Sequence, residues 1–212
     1  MQRLTEMALE QSAGGVFTLP EVAYWGGGGS NRRFGLLGRA LRAGEVVRIH
    51  RGLYCLADKY LRRKIDPLVV AQRIRGPSYI SLETALSYHG WIPEAVYTVT
   101  SACMDRSREF ATPLGVFSFT RIPQETFYTE VTRVEGAPGE AFLLASPLKA
   151  LCDYVYARRL DWDSSRPVVG SLRVEEEDLA TVKVDEFDRL VGNYSSRRVR
   201  RFLEGLRKDV GR

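Results

Sequence analysis

The fold of the first third of this chain is decided by residues 31–56, NRRFGLLGRALRAGEVVRIHRGLYCL. Helical spacing predicts one buried helix face formed by Phe34, Leu37 and Leu41. Arg32 and Arg39 then lie on the opposite, exposed face. Gly44 follows at a position where helices commonly end in a left-handed residue. The stretch therefore opens with a helix whose exposed side is basic.

The residues after Gly44 read as two short apolar strands joined by His50-Arg51-Gly52, which predicts a β-hairpin with a basic tip. A helix followed by such a ribbon is the outline of a winged helix-turn-helix, in which the helix enters a major groove and the ribbon reaches the phosphates. Arginines on one helix are more often simply its solvated face. Here, however, the cations lie on two adjacent elements, the helix and the hairpin, which favours nucleic-acid binding. The residues predicted to contact DNA are Asn31, Arg32, Arg33, Arg39, Arg42, Arg48, His50 and Arg51.

Two further helices complete the predicted N-terminal domain, residues 1–66. The first contains Leu4 and Ala8, and the second begins near Thr18 with a proline in its first turn. A four-glycine segment, Gly26 to Ser30, then forms a long turn, and Ser30-Asn31 offers a cap for the basic helix. A phosphate-binding Walker loop would need Gly-Lys-Ser/Thr after the glycines, so a plain turn is favoured.

Residues 67–212 are predicted to form a mixed α/β domain with a largely antiparallel sheet and C-terminal helices. A linker helix spans Pro67 to Ile74, and Ser81 caps a helix that ends at His89-Gly90. Strands are expected at 96–100, 115–120, 127–134 and 141–144, followed by helices from Ser146, at 185–191 and at 195–208. The fold class of the whole chain is therefore α+β.

The charge of the chain is concentrated at its two ends, although the formal net charge is only +5. Residues 1–60 carry eight basic against five acidic residues, and residues 195–212 carry seven against two. The last helix places Val199, Phe202, Leu203 and Leu206 on one apolar face. Its cations, expected either to be a solvated face or to engage a polyanion or an acidic surface, are Arg197, Arg198, Arg200, Arg201, Arg207 and Lys208.

The cysteines and the hydropathy of the chain disfavour several classes of protein. Three cysteines, Cys55, Cys103 and Cys152, are odd in number and widely spaced in apolar sequence, which favours buried thiols over a zinc site or a disulfide framework. The chain shows neither a signal-peptide pattern nor a long apolar run, so a cytoplasmic protein without a membrane partner is expected.

An enzyme is also disfavoured. Only two histidines are present: His50 lies on the predicted wing, and His89 at a helix end is better placed to interact with the helix dipole. No nucleophile elbow, catalytic triad order or paired metal ligands occur, and Asp153 has no carboxylate companion at a nuclease-like spacing. The acidic run 175–178 is typical of a solvated loop or a helix start. We therefore expect no catalytic residues, no metal and no cofactor.

Three segments of the chain resemble the AbiEi family of antitoxins. They are YISLETALSYHGWIPEAVYTVTS from Tyr79, FLLASPLKALCDYVY from Phe142 and LLGRALRAGEVVRIHRGLYCL from Leu36. The resemblance implies the antitoxin of a type IV, bicistronic toxin–antitoxin system of the phage-defence class, whose partner is an AbiEii-type nucleotidyltransferase toxin. It implies that the N-terminal domain represses its own operon by binding inverted repeats in promoter DNA. The C-terminal domain would counteract the toxin, with or without a stable complex. The four-glycine turn and the tail after Arg158 match no part of the family pattern.

The alternative is a stand-alone winged-helix transcriptional regulator whose second domain senses a ligand or a protein. A divergent nuclease is a third, less favoured interpretation. An adjacent downstream gene for a nucleotidyltransferase would support the antitoxin, and its absence would support the solitary regulator.

Overall fold

The computed structural model describes residues 1–94 and 96–210, and its secondary structure is α+β. Ala95, Gly211 and Arg212, all of them in the predicted second domain, lie outside the described residues. The chain divides into two compact units. Unit 1 comprises Met1–Arg75, Ala111–Gly115 and Glu135–Phe142, and unit 2 comprises the remaining described residues.

Unit 1 contains four helices and a three-stranded sheet. Its helices are α1 (Arg3–Gln11), α2 (Leu19–Gly26), α3 (Ser30–Arg42) and α4 (Pro67–Ile74), and its strands are β1 (Val16–Thr18), β2 (Val46–His50) and β3 (Leu53–Leu56). The sheet has the order β1-β3-β2, and both strand pairs are antiparallel. The core between helices and sheet includes Leu4, Phe17, Val22, Leu37 and Tyr54. The predicted helices, the hairpin and the linker helix are thus confirmed as elements.

The start of α2 and the end of α3 follow from local sequence. Thr18 accepts a hydrogen bond from the backbone N–H of Glu21, whose carboxylate accepts one from the N–H of Thr18, so the two form a capping box. Gly44 adopts φ 62° and follows α3, and the N–H of Glu45 donates to the carbonyl of Ala40. The left-handed glycine is the expected helix stop.

Two details of α3 differ from the prediction. The buried residues are Leu36, Leu37 and Ala40, whereas Phe34 is 56% exposed. Apolar side chains lie on several sides of this helix, so periodicity alone did not identify the core face, and the small Ala40 was overlooked. The helix also begins at Ser30 with Gly29 as its N-cap, so Ser30 does not cap it through its side chain. Only three residues therefore separate α2 from α3, and the long turn that we expected is short.

Unit 2 is built around most of a six-stranded sheet of order β6-β7-β5-β4-β9-β8. The strands are β4 (Ser78–Ile80), β5 (Thr98–Cys103), β6 (Arg108–Thr112), β7 (Gly115–Arg121), β8 (Val131–Glu135) and β9 (Ala141–Ala145). Strand β4 pairs antiparallel with β5 but parallel with β9, and β5 pairs parallel with β7. The sheet is therefore mixed. The expected antiparallel pairing holds for β4–β5 but is wrong for β4–β9 and β5–β7, because pairing partners are chosen by tertiary packing.

The helices of unit 2, in chain order, are α5 (Leu82–Tyr88), α6 (Pro147–Ala157), α7 (Arg166–Leu172), α8 (Glu176–Ala180), α9 (Val184–Asn193) and α10 (Arg197–Val210). Ser146 caps α6 through its hydroxyl, as its position before a proline suggests. Ser81 precedes α5, but its side chain makes no capping hydrogen bond. Strands β4 and β6 and helix α7 were not predicted, whereas the acidic run does begin a helix, α8.

Candidate nucleic-acid interface

Helix α3 carries most of the predicted DNA-binding residues. Asn31, Arg32, Arg39 and Arg42 are exposed on it. Arg33 is half-buried, and one of its guanidinium nitrogens donates a 3.0 Å hydrogen bond to the Ser30 hydroxyl. The helix therefore has the exposed basic side that was predicted, although Arg33 is only partly exposed there.

Two half-buried glycines, which carry no side chains of their own, lie in the middle of the side of α3 that faces away from the core. Asn31, Gly35, Gly38 and Arg42 follow one another at spacings of four, three and four residues, which places them in one row along the helix. We call Gly35 and Gly38 the bare strip. A Cβ built on either glycine meets only an arginine side chain, Arg39 or Arg42 respectively, with its nearest atom at 3.5 Å. The interior of the protein therefore does not require glycine at these positions.

The β2–β3 hairpin carries the other predicted residues. Arg48 is exposed on β2, His50 is half-buried at its end, and Arg51 is exposed in the turn. The register of the hairpin shifts between Arg48 and His50, and the Arg48 Nε donates to the His50 carbonyl across 3.4 Å. Gly52 closes the turn with φ 80°. Because α3 contacts β2, the basic helix and the basic hairpin are neighbours in unit 1.

Four arginines of this region have no partner among the described residues. Within residues 1–94 and 96–210, the side chains of Arg32, Arg39, Arg42 and Arg51 form no ion pair or hydrogen bond. Four guanidinium groups in one unit therefore remain free to bind phosphate oxygens or base edges, which are the acceptors that arginine recognises in nucleic acids.

Buried polar contacts anchor the helices around this face. The Glu45 carboxylate accepts hydrogen bonds of 2.7 Å from both the Gln2 N–H and the Thr5 hydroxyl, and these bonds lower the pKa of Glu45. The link ties the start of α1 to the turn after α3. Arg73 on α4 donates to the Val16 carbonyl and forms a 2.5 Å ion pair with Glu21. Both sets of contacts join residues at least 40 positions apart in the chain, so they could not be predicted from the sequence.

The second predicted patch, on α10, has a different electrostatic environment. Val199, Phe202, Leu203 and Leu206 are buried as expected. Of the six cations, Arg198 and Arg201 both bind Asp161, at 3.3 and 3.2 Å, and Arg207 binds Asp188 at 2.6 Å. Arg200 donates to the Ser195 carbonyl. Arg197 and Lys208 make no such contact among the described residues, so the patch is partly neutralised and weaker than that of unit 1.

A buried polar cluster in unit 2 was not anticipated. Lys149 and Asp153, one turn apart on α6, are both fully buried. Asp153 accepts hydrogen bonds of 2.6–2.8 Å from the hydroxyls of Tyr79, Ser81 and Tyr194. Burial lowers the pKa of Lys149, whose ammonium lies 5.0 Å from the Tyr79 ring centre and donates to Gln124.

The donors around Asp153 saturate its two oxygens. Gln124 also lies 3.4 Å from one of them through its amide nitrogen, and the carboxylate has no exposed surface. The cluster therefore holds α6 and the α9–α10 connection to strand β4 rather than presenting a reactive group. In the sequence, only the i, i+4 spacing of the lysine and the aspartate in the SPLKALCD segment could have indicated this buried cluster. The same spacing is common on exposed helices, so it does not predict burial.

The cysteines are buried free thiols, as predicted. Burial, with a smaller contribution from Asp58, raises the pKa of Cys55 to about 11, and burial also raises that of Cys152, so both thiols are poor nucleophiles near neutral pH. No group of three or more potential metal ligands occurs in the described part of the chain. No helix there is long and apolar enough to cross a bilayer.

Comparison with known proteins adds no family: no protein-family model matches the chain, and no curated protein matches it significantly.

Proposed function

We propose that unit 1 is a winged helix-turn-helix that binds double-stranded promoter DNA, with α3 in the major groove and the β2–β3 hairpin against the backbone. The observation that carries the proposal is the set of four unpaired arginines on two neighbouring elements. A single exposed arginine is usually only part of a solvated face, whereas phosphate binding requires several unpaired cations on one surface.

The element order supports the same function. Three helices, a three-residue turn that follows Gly26 and a hairpin after the third helix match the arrangement in which the helix after the turn reads DNA. The bare strip would let the backbone of α3 approach base edges closely, and Asn31 and Arg42 stand at its two ends. We assign base contacts to Arg32 and Arg39, and phosphate contacts to Arg48 and Arg51.

The proposed biological role is that of a non-enzymatic antitoxin that represses its own operon. Support for this part comes from the resemblance of three segments to the AbiEi antitoxins, two of which lie largely in unit 2. The functional partner would be an AbiEii-type nucleotidyltransferase toxin. The α10 cations would contribute to an acidic or polyanionic contact after releasing Asp161 and Asp188, since exposed ion pairs contribute only about 0–1 kcal/mol each.

Gel-shift titration of the full chain on its own promoter region tests DNA binding. Arg39→Ala should weaken binding by about 1–3 kcal/mol and relax sequence preference, because a base contact is lost. Arg51→Ala should weaken binding to all sequences alike and make the salt dependence shallower by about one unit of slope, because a phosphate contact is lost. Arg166→Ala is the matched control, since Arg166 is an exposed arginine of unit 2. Unchanged binding by an Arg32→Ala/Arg39→Ala double variant would overturn the assignment of α3 to the groove.

The antitoxin role is tested separately, by growth of cells that co-express the chain with the product of a downstream nucleotidyltransferase gene. Protection is expected. Failure of a folded, DNA-binding chain to protect, or the lack of such a gene, would favour the stand-alone regulator instead.

A further inference from the structure

Unit 2 contains a surface cleft that the proposed DNA binding does not use. Its volume is about 510 Å³, within the range of sites that bind small organic ligands. Its lining includes Thr98, Thr100 and Ser118. Strands β5 and β7 run parallel with Thr100 opposite Ser118, so these hydroxyl residues share one face of the sheet.

The walls of the cleft combine apolar and acidic side chains. Ile92 and Leu172 are almost completely buried apolar residues that line it. Three carboxylates, those of Glu83, Glu94 and Glu109, also line it. An apolar wall beside a few convergent charges is typical of a site that orients a small molecule.

Charge pairing in the cleft leaves one carboxylate in excess. Glu83 forms an ion pair with Arg158, and Glu94 forms one with Arg173, which lowers the pKa of Glu94. Glu109 forms no ion pair or side-chain hydrogen bond among the described residues. The guanidinium groups are therefore already occupied, and an anion would find no free cation there. A ligand that carries one positive charge would complete the pairing.

An aromatic ring stands at the same cleft. Tyr97 lines it, yet the residue is 92% exposed, which is unusual for a large side chain. Rings of this kind attract cations over their faces and cover apolar stems. The carboxylate of Glu109 and the ring of Tyr97 thus provide the two kinds of group that recognise an organic ammonium.

We propose that this cleft binds a small organic cation, a primary ammonium carried on an apolar or aromatic stem, with Glu109 as the counter-ion and Tyr97 covering the stem. The cleft lies within unit 2, and the proposal does not depend on DNA binding by unit 1.

The test uses the isotopically labelled full chain and phenethylammonium as the probe, followed by amide chemical shifts near neutral pH. Saturable shifts of residues around the cleft are expected, with a Kd on the order of 1 mM for so small a ligand. The neutral isostere 2-phenylethanol should bind at least about fivefold more weakly, because it cannot pair with the carboxylate.

Two variants locate the site. Glu109→Gln and Tyr97→Ala should each raise the Kd by about fivefold or more. Glu125→Gln, which removes an exposed carboxylate that does not line the cleft, should leave the Kd unchanged. The proposal is overturned by a lack of saturation, by equal binding of the alcohol, or by a Kd that neither cleft variant alters. Both altered residues are exposed, so equal melting temperatures should confirm that the variants fold.

Discussion

Replacing the two glycines of the bare strip should change stability and DNA affinity in opposite directions. Gly35 and Gly38 lie inside α3, and glycine within a helix is less favourable than alanine by about 0.5–1 kcal/mol. A Cβ at either position would be in ordinary contact with an arginine side chain, its nearest atom at 3.5 Å. Gly35→Ala and Gly38→Ala should therefore each stabilise unit 1 by about that amount, or about 1–2 kcal/mol for the double variant if the effects add.

DNA binding should become weaker in the same double variant. Two methyl groups would then stand on the face that we place against the base edges, and they would push the helix backbone away from its contacts. We expect at least a tenfold rise in Kd for promoter DNA, equivalent to about 1.4 kcal/mol. Gly192→Ala is the matched control, because Gly192 lies in helix α9 of unit 2 and a Cβ there meets no atom within 4 Å.

Urea denaturation and gel-shift titration of the two single variants, the double variant and the control measure the two effects. The control should show the gain in stability without a loss of DNA affinity. Unchanged promoter affinity of the stabilised double variant would refute the close approach of α3 to DNA. A loss of stability would refute the conclusion that the glycines are unnecessary for packing.

Two further predictions concern unit 2. Gly205→Ala should lower the free energy of unfolding by about 3 kcal/mol or more in urea denaturation. A Cβ at this position would lie 1.7 Å from the backbone oxygen of Asp163, so α10 would have to move away from the segment that contains Asp163. A decrease below about 1 kcal/mol would contradict this prediction. Asp153→Ala should lower the free energy of unfolding by about 3–5 kcal/mol, since three buried hydroxyls lose their acceptor and Lys149 loses its counter-charge. Asp153→Asn keeps the shape and one acceptor and should lower it less. Equal losses for the two variants would show that the loss comes from the negative charge alone, and losses below about 1 kcal/mol for both would contradict the stabilising role of the cluster.

The sequence by itself determined those features of this protein that depend on neighbouring residues. Thr18 and Glu21 begin α2 through contacts three residues apart, and Gly44 ends α3 through its own backbone freedom. The linker helix, predicted from about Pro67 to Ile74, spans Pro67–Ile74 in the structure. The candidate DNA-binding residues were likewise identifiable, because charge and helical periodicity are local properties.

Only the tertiary structure decided which side of each element is buried and which strands pair. Five apolar residues around α3 allowed more than one core face, and packing against α1 and α2 selected the face with Leu36 and Ala40. Parallel pairing of β4 with β9 joins residues 64 positions apart, Ile80 and Leu144, which no local pattern predicts.

The same reason explains which charges are free. Arg39 and Arg201 are equally exposed helical arginines in the sequence pattern, but Asp161 approaches Arg201 from 40 residues away, whereas no carboxylate of the described residues pairs with Arg39. A charge pattern along the chain counts cations, but the availability of a cation for a partner depends on which distant carboxylates the fold brings beside it.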